Sequence, residues 1–166
     1  HKLTKLADRK NCSYQGGFIW DYIDQTIYKK DRYGKWFQAY GGDFGDRPSD
    51  YQFSANGIVY GGEREPSPKM QEVRYVYQNI EIWVGNEEFG VWNKNLFVST
   101  DHFRCMAELL RNGERIGQCE VKGINLVSGE KKKYPIPFTV PSWPGEYVMT
   151  ISFHLKKDEL WAQEGY

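Results

Sequence analysis

The chain has 166 residues, and its 22 Lys and Arg are balanced by 22 Asp and Glu, so the formal net charge is zero. A balanced chain has no global field to draw it onto nucleic acid or an anionic membrane, and no run of ~18 apolar residues is present to span a bilayer. Six Trp, 12 Tyr and nine Phe supply large burial area per residue, which excludes a disordered composition.

The first segment, HKLTKLADRKNC, has no apolar stretch and does not read as a signal peptide. Next comes GGFIWDYIDQ, with one short apolar run, Phe18 to Trp20, entered through Gly16 and Gly17. That pattern suits a buried strand of a parallel sheet. Residues 26–65 are polar and Gly-rich, without clear periodicity, and read as one long loop. Loops of that length are usually functional or disordered. Tyr33, Trp36, Phe37, Tyr40, Phe44, Tyr51 and Phe53 argue for an ordered loop that packs on something. Ser67-Pro68 then reads as a helix start, with Ser67 as N-cap. Met70, Val73, Val76 and Tyr77 follow at helical spacing, so a helix is expected over 68–78.

From Asn79 the texture is that of strands. Ile80, Ile82 and Val84 alternate with Glu81 and Trp83, and the same period of two runs through 103–110 and 147–155. Asn112-Gly113 sits between two such runs and predicts a type I′ hairpin. About six or seven strands over residues 79–166 point to an antiparallel β-sandwich of immunoglobulin-like type. The chain thus reads as mainly β, in two parts, 1–78 and 79–166. Cys12, Cys105 and Cys119 are odd in number and widely spaced, so no disulfide framework is expected and the thiols read as reduced. Cys105 and Cys119 are placed to face each other across a hairpin.

Four constellations are candidates for chemistry. Asp43, Asp46 and Asp50 crowd the loop but do not match a calcium-loop spacing, and turn formation with pairing to Arg47 is the preferred reading. Asp21 and Asp24 are two carboxylates after a strand, but nothing in their spacing sets the separation a glycosidase pair needs. His1, His102 and His154 are isolated, with no nucleophile partnered to them, and His154 falls on the outward side of a strand. Trp20, among Asp and Tyr, offers a flat face suited to the C–H patch of a sugar.

Three blocks carry a family resemblance: GGFIWDYIDQ, YGGDFGDRPSDYQFSANGIVY and REPSPKMQEVRYVYQNI. They resemble the C-terminal edge of the catalytic (β/α)8 barrel in bacterial β-galactosidases of glycoside hydrolase family 2, the lactose-hydrolysing type. The likeness continues more loosely to ELWAQEGY, through the immunoglobulin-like domain that follows that barrel. It implies a site at the C-terminal ends of the barrel strands. By this resemblance residues 17–20 are the last barrel strand, 26–65 its functional loop and 68–78 the last helix. Trp20 matches a wall of the galactose pocket. Phe53, through its carbonyl, and Asn56, through its side-chain amide oxygen, match the sodium ligands.

The family's two catalytic glutamates lie on earlier barrel strands, and no Glu-Tyr-x-His-like segment precedes Gly16. The expectation is therefore a piece of a retaining β-galactosidase, inactive and without a bound cofactor by itself. The whole enzyme is expected to be cytoplasmic and homo-oligomeric, to use sodium and magnesium, and to act on galactosides. The expected partners of this piece are the rest of the barrel and the neighbouring domains. One barrel strand alone leaves both edges unpaired, so residues 1–78 are not expected to form the barrel unaided. The competing reading is a stand-alone carbohydrate-binding or interaction module, with Trp83, Trp92, Trp143 or Trp161 as a platform.

Overall fold

A computed structural model describes residues 2–9, 11–49 and 54–166. The chain divides into two units, His1–Gln78 and Asn79–Tyr166. The first begins with a short helix, α1 (Lys2–Ala7). The stretch expected as a single irregular loop contains a hairpin, β1 (Ile27–Lys30) and β2 (Trp36–Ala39), in register from Ile27↔Ala39 to Lys30↔Trp36. Its turn is built by Asp31, whose carboxylate accepts the N–H groups of Tyr33 (2.8 Å) and Lys35 (2.9 Å). Gly34 follows at φ 80°, in the left-handed region. A single 3₁₀ turn, Gly41–Phe44, comes next.

The expected strand over residues 17–20 is not formed. Phe18 is fully exposed and Trp20 is 75% exposed, and neither belongs to a strand. The physical reason is the absence of partners: a buried parallel strand takes its hydrogen bonds from neighbours on both sides, and none of the described residues lies in a ladder with this segment. Pairing begins only at Ile23, in an isolated parallel bridge to Val59. Helix α2 (Lys69–Val76) is shorter than expected. Ser67 does not cap it with its side chain; the hydroxyl is buried and donates instead to the Ile58 carbonyl at 2.7 Å. Met70, Val73 and Val76 are half-buried along one side of α2, while Tyr77 is exposed.

The second unit is β apart from one 3₁₀ turn, Thr100–His102. One antiparallel sheet has the order β3 (Ile80–Val84), β4 (Glu88–Asn93), β7 (Lys131–Pro135), and the other β6 (Glu114–Glu120), β5 (Phe103–Arg111), β8 (Tyr147–Leu155). The alternation read from the sequence places Cys105, Ala107 and Leu109 of β5 inward and buried. Cys105 shares one core with Phe89 and Val91 of β4, Ile80 of β3, and Ile124 and Leu126. Asn112 (φ 50°) and Gly113 (φ 85°) make the predicted turn between β5 and β6. Two buried polar side chains lock the connections. Asn93 donates to the carbonyls of Val98 (2.8 Å) and Leu126 (3.0 Å), and Thr100 takes the Leu126 N–H at 2.7 Å.

All three cysteines are free thiols. The register pairs Cys119 with Ala107, not with Cys105, so the two thiols are diagonal neighbours, a spacing too long for the Cβ–Cβ approach a disulfide needs. Burial pushes the Cys105 thiol up to about 12. Its unfolded value is near 9, so its stabilising contribution is whole below pH 9 and is lost as the pH rises from there through 12. Alkylation by iodoacetamide at pH 8 should therefore mark Cys12 and Cys119 and spare Cys105 in the native chain, with all three marked in urea. Mass spectrometry of the peptides reads this; native labelling of Cys105 would contradict its placement.

Candidate functional site

Trp20 and Asn56, two of the residues singled out for sugar and cation binding, adjoin two segments that the chain zips together. Residues 21–24 run beside residues 55–59. The Ile58 and Val59 N–H groups both donate to the Tyr22 carbonyl at 2.9 Å, and the Asp24 N–H donates to the Val59 carbonyl at 3.0 Å. The Asp24 carboxylate, buried, accepts the Ala55 N–H at 3.1 Å. Lys69 reaches over from α2 and donates to the Gly57 carbonyl at 3.0 Å and to the Ala55 carbonyl at 3.3 Å. The Tyr22 hydroxyl, in turn, donates to the Met70 sulfur at 3.8 Å. Helix, loop and the 21–24 segment thus form one small cross-tied block.

Gly57 is required at the centre of that block. A Cβ there would stand 2.3 Å from the Asp24 nitrogen and 2.6 Å from the Val59 oxygen. Ala55 holds a positive φ of 63° beside it. Trp20 and Asn56 therefore project from adjoining segments, and both side chains are exposed. An exposed indole offers a flat apolar face, and an exposed amide oxygen is a hard donor of the kind alkali cations take. Phe53, the other expected sodium ligand, lies outside the described residues, as does Asp50.

The remaining candidates dissolve into local structure. Asp43 accepts the Tyr40 N–H at 3.1 Å, within the 3₁₀ turn. His154 is not a free imidazole. Its Nδ1 lies 2.8 Å from the Gly165 carbonyl, and must carry hydrogen there, while Nε2 meets the Ser152 hydroxyl at 2.8 Å. The Ser–His contact lies within β8, and the bond to the Gly165 carbonyl straps the last residues to the sheet. Among the described residues no group of three or more His, Cys, Asp or Glu is arranged to hold a metal ion. Sequence reasoning missed Gly57 and Lys69. Asn-Gly at 56–57 is a turn signal, but nothing local announces that Asp24 will press against it.

The four tryptophans of the second unit do not make a shared platform. Trp83 lies over Gly90, where a Cβ would be 2.0 Å from its ring. Trp92 is flanked by the Lys131 ammonium at 3.6 Å and the Lys94 ammonium at 5.7 Å from its ring centre. Trp143 faces Arg111, and Trp161 meets Tyr166 edge to face.

Comparison with known proteins finds two family matches along the chain. Residues 1–82 match the family described as glycosyl hydrolases family 2, TIM barrel domain, and residues 89–166 match β-galactosidase, domain 4. A β-galactosidase of Halalkalibacterium halodurans is 46% identical over all of this chain, which covers 16% of that protein. One from Clostridium acetobutylicum is 43% identical over 99% of the chain and 18% of its own length. One from Streptococcus thermophilus is 38% identical over 95% of the chain and 15% of its own length. The chain thus spans less than a fifth of each of these relatives.

Proposed function

Since the chain belongs to glycosyl hydrolase family 2, we propose that it forms part of a β-galactosidase and supplies one wall of the sugar site. The observation that carries this reading is the zipped pair of segments, which ties the stretch following the exposed Trp20 to the stretch that bears the exposed Asn56. Trp20 would cover the apolar face of a terminal galactosyl unit. The Asn56 amide oxygen, with the Phe53 carbonyl, would hold a sodium ion beside the sugar. The chemistry of an amide oxygen fits that cation, although one donor does not hold it alone. Magnesium finds no fitting cluster among the described residues, so its ligands would come from other parts of the enzyme. The whole enzyme would cleave terminal β-galactosides such as lactose with retention, one carboxyl group attacking and another protonating the leaving oxygen.

Both of those carboxyl groups would lie outside this chain. We place the whole enzyme in the cytoplasm as an oligomer; none of the described helices is long and apolar enough to cross a membrane. The sandwich would act as a rigid spacer between the barrel and its neighbours. A stand-alone sugar-binding module is disfavoured because each tryptophan of the sandwich is committed to its own neighbour. Purified, this chain should not turn over p-nitrophenyl β-galactoside above the buffer rate, whereas the full-length protein that contains it should. Turnover by the isolated chain would place a complete catalytic pair within these residues and overturn the reading.

A further inference from the structure

Strand β8 is an edge of its sheet, hydrogen-bonded among the described strands only to β5. At one end of that pair the Lys156 N–H donates to the His102 carbonyl at 3.1 Å; at the other the Asn112 N–H donates to the Glu146 carbonyl at 2.9 Å. The register runs between them without a shift. The even-numbered residues of β8 therefore turn their main-chain groups to β5, and the odd-numbered ones turn theirs away. Met149, Ile151 and Phe153 are thus unpaired on the open side among the described residues, while their half-buried side chains pack against the core.

Unpaired edges invite association, and proteins guard them with charge, proline or short length. The other edge strands of the sandwich are guarded in this way. β7 carries Lys131, Lys132, Lys133 and Pro135, β6 carries Glu114, Arg115 and Glu120, and β3 carries Glu81 and has only five residues. β8 has nine residues, YVMTISFHL, with no Lys, Arg, Asp, Glu or Pro among them. Pairing on its open side has moreover begun. The Gly165 N–H donates to the Leu155 carbonyl and the Leu155 N–H to the Tyr166 carbonyl, both at 2.9 Å, with Gly165 at φ 86°. That pattern is a G1 bulge in an antiparallel pair. The return turn that delivers it is fixed by the bond from His154 Nδ1 to the Gly165 carbonyl (2.8 Å) and by the Arg104–Glu164 ion pair (2.8 Å).

We propose that the open edge of β8 is the seat of a further strand of the full-length polypeptide, laid antiparallel and extending the pairing that Gly165 and Tyr166 begin. Its inward side chains would be apolar and would complete the cover over Met149, Ile151 and Phe153. The relatives are several times longer than this chain, so the full-length polypeptide has sequence to supply it. A sandwich of immunoglobulin type has about seven strands, and residues 79–166 form six. The proposal does not depend on the sugar and cation roles above.

Residue-resolved hydrogen exchange on the full-length protein tests this, because it reads single main-chain amides. The amides of Met149, Ile151 and Phe153 should exchange about a hundredfold or more below the unstructured rate, as slowly as those of Thr150 and Ser152, which bond to β5. Free exchange at the three odd positions beside slow exchange at the two even ones would overturn the proposal. So would protection of the three that is lost when the protein is diluted to monomers, because the strand would then come from a second copy.

Discussion

Phe89→Ala is expected to lower the stability of the sandwich by about 3–5 kcal/mol, the range for removing a buried aromatic ring. Phe89 is wholly buried in β4, the central strand of its sheet. Its ring stacks on Tyr134 of β7, with centroids 5.6 Å apart, and shares the core with Val91, Leu126 and Cys105. Truncation would remove that stacking and leave a cavity, since the strand is hydrogen-bonded on both sides and does not collapse inward readily. Small domains have about 5–15 kcal/mol in hand, so this one change removes a large share. Urea titration followed by far-UV circular dichroism should show a lower midpoint at unchanged slope for the transition of the β-rich unit. Ile116→Ala, on a side chain 44% exposed, should stay within about 0.5 kcal/mol. Equal midpoints for the two variants would mean that the core is not where these strands place it.

The parts of the fold that were legible in the sequence are those whose burial is decided nearby. The alternation of Phe103, Cys105, Ala107 and Leu109 reports one face of one sheet, and β5 follows it. Asn112-Gly113 states its own backbone geometry, so the turn was readable from two residues. The hairpin β1–β2 was not, because Ile27 and Trp36 are exposed and Ala39 is its one buried position. Its order comes from the Asp31 turn and from contact with residues 61–62, where a Cβ on Gly61 would overlap Thr26. Residues 17–20 misled in the opposite sense. Their apolar run encodes burial against strands that this stretch of sequence does not contain, so the signal is sound and the strand is still unformed here. At the site, Trp20 was legible as a flat aromatic face among Asp and Tyr, and Asn56 only through family resemblance. Their placement on adjoining segments arises from contacts distant in sequence, to which local pattern is blind.

Gly57→Ala should cost the full-length enzyme about tenfold to a hundredfold in kcat/KM, which corresponds to about 1–3 kcal/mol for overpacking a tight contact. The added methyl would meet backbone atoms, the Asp24 nitrogen at 2.3 Å and Cα at 2.6 Å. Neither can rotate away, so the segments must part. The bond from the Asp24 N–H to the Val59 carbonyl would go first, and with it the Asp24 grip on the Ala55 N–H. Asn56, between Ala55 and Gly57, would then be displaced. Under the proposed function, the loss should therefore appear in KM and in a raised sodium concentration for half-maximal activity, because the roles proposed for Trp20 and Asn56 are in binding. Gly34→Ala is the control: its φ of 80° makes the substitution strained, but no atom lies within 4 Å of the new methyl, and the hairpin tip bears no proposed ligand. That change should lower stability by about 1 kcal/mol and leave KM and sodium dependence unaltered. If Gly57→Ala gave the same kinetic pattern as Gly34→Ala, the zipped segments would be scaffold only. The sugar wall and the cation ligand would then have to be sought apart from each other.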